Sequence, residues 1–342
     1  MGRIVLVTGV SGDIGGRFAR RIAEDPAVAR VVGVDVVPPR SDLGAVHFVR
    51  ADIRNPVIAK VIAGEDVDTV VHTSLASSTA GTGGRTSMKE HNVIGTMQLL
   101  AACQRAPGLQ RLVVRSSAEV YGASSRDPAK FTEDMGARRA PSTGFGRDAT
   151  EVEGYIRGFS RRRPEVSVTV LRQAALLSPH YHNALADYFG MNPIPKVLGY
   201  DARVQLLHLD DLLAAMHHAT LVGVGGTFNL AGEGVLPLSQ VIRRLGRGIL
   251  PLPAFAMRGL GSAVHRARLG LSEFSSDQLD YLTYGRGLDT TRMRTVLGFE
   301  PRHTTDDVLE EFAAANPSRT LEAHPVLALD RAVRSTLGGD HA

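Results

Sequence analysis

One stretch near the start constrains this chain more than any other: Thr8-Gly9-Val10-Ser11-Gly12-Asp13-Ile14-Gly15. Before it, Ile4 to Val7 is a run of β-branched and aliphatic residues that reads as a buried strand. After it, Ile14, Phe18, Ile22 and Ala23 recur at helical spacing. Val31-Val32-Gly33-Val34 then forms a second strand and ends on Asp35. Strand, glycine turn, helix, strand and acid in this order form the first half of a dinucleotide-binding unit. One glycine makes the tight turn, a second lets the backbone approach a pyrophosphate, and a third lets the helix pack close to the strand. The helix N-terminus turns free N–H groups and a positive dipole end toward the phosphates. Asp35 stands where a carboxylate can accept the ribose hydroxyls.

The alternation continues along the chain. Val46–Val49, Val67–His72, Arg111–Ser116 and Val166–Leu171 read as further strands, with helices over 86–105 and 145–162 between them. Strands separated by helices imply an α/β fold, a Rossmann-type doubly wound parallel sheet, with ligands at the carboxyl ends of the strands. Residues 1–173 form the expected dinucleotide-binding core. Residues 174–316 form a smaller C-terminal substrate-binding and lid region, with 204–231 returning to the core. Residues 317–342 are a tail. Two helices around Gly270, within 253–284, are the expected lid.

Composition narrows the class. With 342 residues, 43% apolar, the chain has the make-up of a globular protein with one large α/β domain and a smaller part. The net charge of +4 is spread out, and Arg161-Arg162-Arg163 is read as a solvated helix end rather than a nucleic-acid patch. One cysteine, Cys103, excludes an intrachain disulfide and fits a reducing compartment. No signal-like segment or run of membrane length is visible, so a cytoplasmic protein without membrane or nucleic-acid partners is expected.

The ordered segments TGVSGDIG, VVGVD, ADIRNP, VVHTSLAS, HNVIGT, RSSAEVYG, VTVLRQAALLSP, LLHLDD, TFNLAG and LGFEPR resemble the extended short-chain dehydrogenase/reductases, the NAD-dependent epimerase/dehydratase group, over about residues 3–315. The resemblance implies a nicotinamide cofactor held by Gly9, Ser11, Gly12, Asp13, Ile14, Gly15, Asp35, Asp52, Ile53, Ser74 and Asn92. It implies a catalytic hydroxyl at Ser117. It also implies a tyrosine, and a lysine four residues later, at positions filled here by Phe145 and Ala149. Tyr121 belongs to the turn that shapes the site, and Tyr155 lies about 15 Å along the helix from Phe145. Sugar-nucleotide enzymes of the group carry a diphosphate-binding asparagine and arginine where this chain has Ala175 and Val204. Loss of that arginine removes a charge-assisted contact worth roughly 1.5–3 kcal/mol.

An enzyme lacking its acid forgoes about 10²–10⁴-fold in rate. An aromatic ketone with a neighbouring phenol tolerates that loss, because the phenol relays the proton. In this absence the chain resembles the atypical tailoring ketoreductases of aromatic polyketide pathways. The leading expectation is therefore NAD(P)H-dependent reduction of a polycyclic aromatic ketone, with Ser117 polarising the carbonyl. Ser77, His180, His182 and Met191 are the candidate substrate contacts, and no metal is expected. Nucleotide-sugar epimerase or dehydratase and a non-catalytic cofactor-binding regulator are the alternatives. Asp35 favours NADH, and Arg40 could neutralise the 2′-phosphate of NADPH, so both cofactors stay open. A homodimer is the candidate assembly.

Overall fold

The computed structural model describes residues 2–77, 83–142, 144–257 and 276–317. In chain order its first half runs β1 (Arg3–Thr8), α1 (Asp13–Ala23), β2 (Val28–Asp35), β3 (His47–Arg50), α2 (Val57–Gly64), β4 (Thr69–His72), α3 (Arg85–Lys89), α4 (Gly95–Gln104), β5 (Arg111–Ser117), α5 (Gly144–Arg162) and β6 (Ser167–Gln173). A wider helical segment, Glu90–Ile94, joins α3 to α4, and a 3₁₀ turn at Ala118–Tyr121 follows β5. The second half runs β7 (Ala175–Leu176), α6 (Ala184–Gly190), β8 (Ile194–Val197), β9 (Arg203–Val204), β10 (Leu206–Leu207), α7 (Leu209–Val222), β11 (Gly226–Leu230), β12 (Leu236–Pro237), α8 (Leu238–Arg244), β13 (Ile249–Leu252), α9 (Ser276–Tyr284) and α10 (Thr305–Ala315).

Seven strands form one sheet in the order β11-β6-β5-β4-β1-β2-β3, every pair parallel. The order reverses at β1, which opens a crevice at the carboxyl ends between β1 and β4. A strand buried on both faces needs no alternation, and Val5, Leu6 and Val7 of β1 are wholly buried. Helix α1 supplies the inner face with Phe18, Ala19 and Ile22, all at 0% exposure.

Two apolar clusters organise the chain. The larger covers both faces of the sheet, and the smaller joins α6, β8, α8 and α10 through Tyr188, Phe189, Ile194, Val241 and Phe312. β11 returns from the second half to pair with β6. The mostly apolar run Val204–Leu207, within the segment expected to return to the core, forms two short pieces: β9 pairs β12 and β10 pairs β7, so neither joins the main sheet. Of the lid segment, α9 is a helix, while Gly270 and its neighbours lie outside the described residues. Among the described residues no helix is long and apolar enough to cross a membrane. Cys103 is fully buried and its thiol is pushed up to about 12 by that burial, which makes it a core residue.

Candidate active site

A cleft of about 1100 Å³ runs over the carboxyl ends of β1, β2, β4, β5 and β6. At one end lies the glycine turn. Gly9 has φ +77°, a conformation that favours glycine. A Cβ at Gly15 would lie 2.1 Å from the Gly9 carbonyl oxygen, so α1 reaches the turn only without a side chain there. A Cβ at Gly12 would meet only the Gly9 oxygen, at 3.3 Å, and open space otherwise. No side chain caps the N-terminus of α1, which leaves its N–H groups for a ligand. The Asp35 carboxylate accepts from Ser11 N at 3.0 Å and Val36 N at 2.7 Å, fixing the acid beside the turn. These features fit a dinucleotide: a cradle that a side chain would fill, uncapped N–H donors and an oriented acid.

The other end gathers around Ser117. Its Oγ accepts from Glu119 N at 3.1 Å, which leaves the hydroxyl proton to donate into the cleft. Phe145 lines the same wall, and Ala149 lies behind it, wholly buried. Glu119 also lines the cleft. Burial raises its carboxyl above the usual carboxylate range; the Arg286 guanidinium opposes this shift and Asp277 adds to it. Tyr281 faces the same space, its hydroxyl unpartnered among the described residues and pushed up to about 12 by burial. Tyr121 is occupied elsewhere: its OH donates to Asn229 Oδ1 at 2.8 Å and accepts from Arg172 Nη1 at 2.7 Å.

Near the vacant lysine position, α3 delivers a different cation. Arg85 forks onto Asp148 and donates to the Gly144 carbonyl at 2.8 Å, while still lining the cleft. Arg115 lies under the loop after β4 and also reaches the cleft wall.

Of the sequence-derived candidates, Gly9, Gly12, Asp13, Ile14, Gly15, Asp35, Ile53, Ser74, Ser77, Ser117, Phe145 and His182 line the cleft. The others lie off its wall. Ser11 braces the turn. Arg40 is exposed on the loop after β2. Asp52 is held by Arg54 at 2.7 Å, and that bond keeps its carboxyl below the usual range. Asn92 is wholly buried and clasps Ala76 N and O, which fixes the loop after β4 from beneath. His180 is exposed, with its carbonyl accepting from Arg17. Met191 packs against the smaller apolar cluster and borders a separate shallow depression.

Four residues escaped the sequence reading. Arg115 carried a signal, since a charged residue inside VVRSS is costly to bury in a core strand. Glu119 stood two residues after Ser117, and Asp148 one before the missing lysine. Arg85, behind Gly83-Gly84, carried no local signal.

The model of the NAD dependent epimerase/dehydratase family matches residues 5–231. The chain belongs to that family. Uncharacterized protein Rv0501 of Mycobacterium tuberculosis is 46% identical over 314 residues, covering 91% of this chain and 83% of its own. UDP-glucose 4-epimerase 2 of Oryza sativa subsp. japonica is 27% identical over 357 residues, covering 85% of each chain. Among solved structures, dTDP-glucose 4,6-dehydratase from Bacillus anthracis, in complex with NAD, superposes with TM-score 0.68 at 19% identity, over 93% of this chain and 98% of that one. UDP-glucuronic acid 4-epimerase from Bacillus cereus, also with NAD, gives 0.66 at 17%, over 92% and 98%. These likenesses establish the doubly wound fold, and family membership makes the enzyme class NAD-dependent.

Proposed function

We propose that this family member exchanges a hydride with a carbinol or carbonyl carbon of a nucleotide-sugar substrate, with Glu119 as the proton-carrying group. The observation that carries this reading is a half-buried, cleft-lining carboxyl two residues from Ser117, held above the usual carboxylate range by desolvation, in the cleft that also holds the glycine turn. Bound NAD supplies hydride exchange at its nicotinamide. Ser117 donates a hydrogen bond to the substrate oxygen. Glu119 gives its proton to that oxygen as the carbon is reduced and recovers it as the carbon is oxidised. The far wall, with Leu185 of α6 and Gln278 and Leu282 of α9, would take the rest of the substrate. Arg147 at the mouth offers a cation to a phosphate. The nucleotide-sugar enzymes among the relatives support this substrate class.

One observation favours a second reading. Val204 is a core residue at 1% exposure, and Arg203, whose backbone bridges to Gly285, is not among the residues that line the cleft. A diphosphate therefore finds no arginine from β9, whereas a polycyclic aromatic ketone needs none. Calorimetry and turnover with UDP-glucose, UDP-glucuronic acid and dTDP-glucose, set against a panel of aromatic ketones, separate the two. Reduction of aromatic ketones alone favours the second reading. Turnover of neither class, with NADH still bound, leaves the regulator reading. For whichever substrate is turned over, Glu119→Gln should lose about 10²–10⁴-fold in kcat with little change in KM. Full activity in that variant removes Glu119 from the mechanism.

A further inference from the structure

Arg115 is buried to 7% exposure near the end of β5. Nη2 donates to the carbonyls of Thr73 at 3.1 Å and Leu75 at 2.8 Å, and Nη1 to Gln173 Oε1 at 3.4 Å. Its Nε has no partner among the described residues. Among the described residues no carboxylate pairs with it. Arg172, on the neighbouring strand, shows the ordinary arrangement, with its guanidinium on Glu153 at 2.7 Å. A buried cation without a counter-charge is costly, and three carbonyl dipoles solvate Arg115 without neutralising it. Burial lowers its proton affinity, but a guanidinium stays charged at any physiological pH. The charged and titratable side chains acting on it bring no negative charge. Tyr181 is a phenol, and His72 is pushed down to about 3, first by burial and then by His91 and Arg115, so it is neutral.

The sheet order says what shares this space. Asp35, on β2, marks the adenosine ribose, and the turn after β1 marks the pyrophosphate. The rest of a dinucleotide must then extend over β4 and β5. That is the region of Thr73, Leu75 and Gln173, the residues that hold Arg115 and line the cleft. Oxidised nicotinamide carries one more positive charge than reduced nicotinamide.

We infer that Arg115 makes the cleft discriminate between the redox states of its cofactor, favouring NADH over NAD⁺. The inference rests on the family's NAD dependence and is independent of the substrate proposed above. At an effective dielectric of about 20 and a separation of about 10 Å, one unit charge alters the affinity ratio on the order of ten-fold.

Calorimetric titration of the full chain with NAD⁺ and with NADH reads this ratio without any substrate. The wild type should bind NADH on the order of ten-fold more tightly. Arg115→Lys should keep the preference. Arg115→Met should bring the ratio close to one, chiefly by improving NAD⁺ binding. Gln173→Glu, which places a counter-charge beside an intact Arg115, should do the same, and it covers the case in which the Met variant does not fold. A wild-type ratio near one overturns the inference outright. So does a ratio unchanged in Gln173→Glu, or equal weakening of both cofactors in Arg115→Met.

Discussion

Arg85 and Asp148 meet in a two-pronged ion pair, Nη1 to Oδ2 at 2.5 Å and Nη2 to Oδ1 at 2.6 Å. The pair ties α3 to the start of α5, the two elements that flank the reacting end of the cleft. Asp148 is wholly buried, and among the described residues its other donor is Asn92 Nδ2 at 3.2 Å. Removing the arginine strands a buried carboxylate, which usually costs about 3–5 kcal/mol. Arg85 is itself partly exposed, so Arg85→Met should cost about 3 kcal/mol in urea unfolding, the lower end of that range. Arg85→Met combined with Asp148→Leu should recover most of the loss, because neither charge is then left alone. A single variant as stable as the wild type would mean that the fork is held by the surrounding fold and adds nothing of its own.

The two glycines of the turn fail differently. At Gly15 a Cβ collides with the backbone of Gly9 and with Thr73 Oγ1 at 2.7 Å, so Gly15→Ala must push α1 away from the sheet. It should lower stability by about 1–3 kcal/mol, the usual range for overpacking. At Gly12 the space is open to the cleft. Gly12→Val should therefore retain the thermal transition while NADH binding disappears in calorimetry. Unchanged NADH affinity in that variant would sink the assignment of this turn to the pyrophosphate.

The sheet was legible in the sequence because its central strands carry short apolar runs that end at a polar residue, as in Val5-Leu6-Val7-Thr8 and Val70-Val71-His72. The glycine turn was legible for a similar reason: its chemistry is local. Arg85 and Asp148 were not legible, since their pairing depends on how far α3 stands from α5 in space. Met191 and His180 misled because they follow β6 closely in sequence. The chain turns at Ser178 and carries one to the smaller core and the other to solvent. Val204–Leu207 looked like one strand because three of its four residues are apolar. The polar Gln205 instead turns its amide to the Gly232 carbonyl and the Leu288 N–H, and the run splits into two short bridges.

Cofactor choice follows from Asp35. Two backbone N–H groups hold its carboxylate in the cleft, where a 2′-phosphate would meet like charge. Arg40 is exposed and off the cleft wall. NADH should bind at least about ten-fold more tightly than NADPH. Asp35→Asn should narrow that gap, and Arg40→Ala should leave both affinities unchanged. Selective weakening of NADPH by Arg40→Ala would show that the loop swings over the phosphate.

Restoring the family's tyrosine and lysine should fail, for separate reasons. Phe145 lines the cleft, so the added hydroxyl of Phe145→Tyr enters open space, and stability should change by less than about 1 kcal/mol. Turnover should stay within a few-fold, because the lysine position is filled by Ala149 and the nearby Arg85 is committed to Asp148. Ala149 has no room. Ala149→Lys forces a long side chain and a charge into packed core, and should cost roughly 2–4 kcal/mol in urea unfolding. A large gain in turnover from Phe145→Tyr alone would show that the site still awaits its tyrosine.

His72 sets an acid limit on stability. Its Nε2 faces Thr96 Oγ1 at 2.9 Å, and that hydroxyl already donates to the Asn92 carbonyl, so Nε2 must carry the proton. Nδ1 then accepts from Thr8 Oγ1 at 2.8 Å. Burial, aided by the charges of His91 and Arg115, lowers this imidazole from 6.5 to about 3. The unfolded chain therefore takes up a proton below pH 6.5 that the folded chain refuses until about pH 3. Stability from this group is complete above the unfolded value and drains away as pH falls, at up to about 1.4 kcal/mol per pH unit. Urea unfolding at pH 7 and pH 5 should show the wild type losing roughly 2 kcal/mol more than His72→Gln, whose amide can serve both threonines without titrating. Equal losses in the two proteins would mean that His72 is protonated in the folded state, with Thr8 turned to accept from it, and that the acid limit lies in another group.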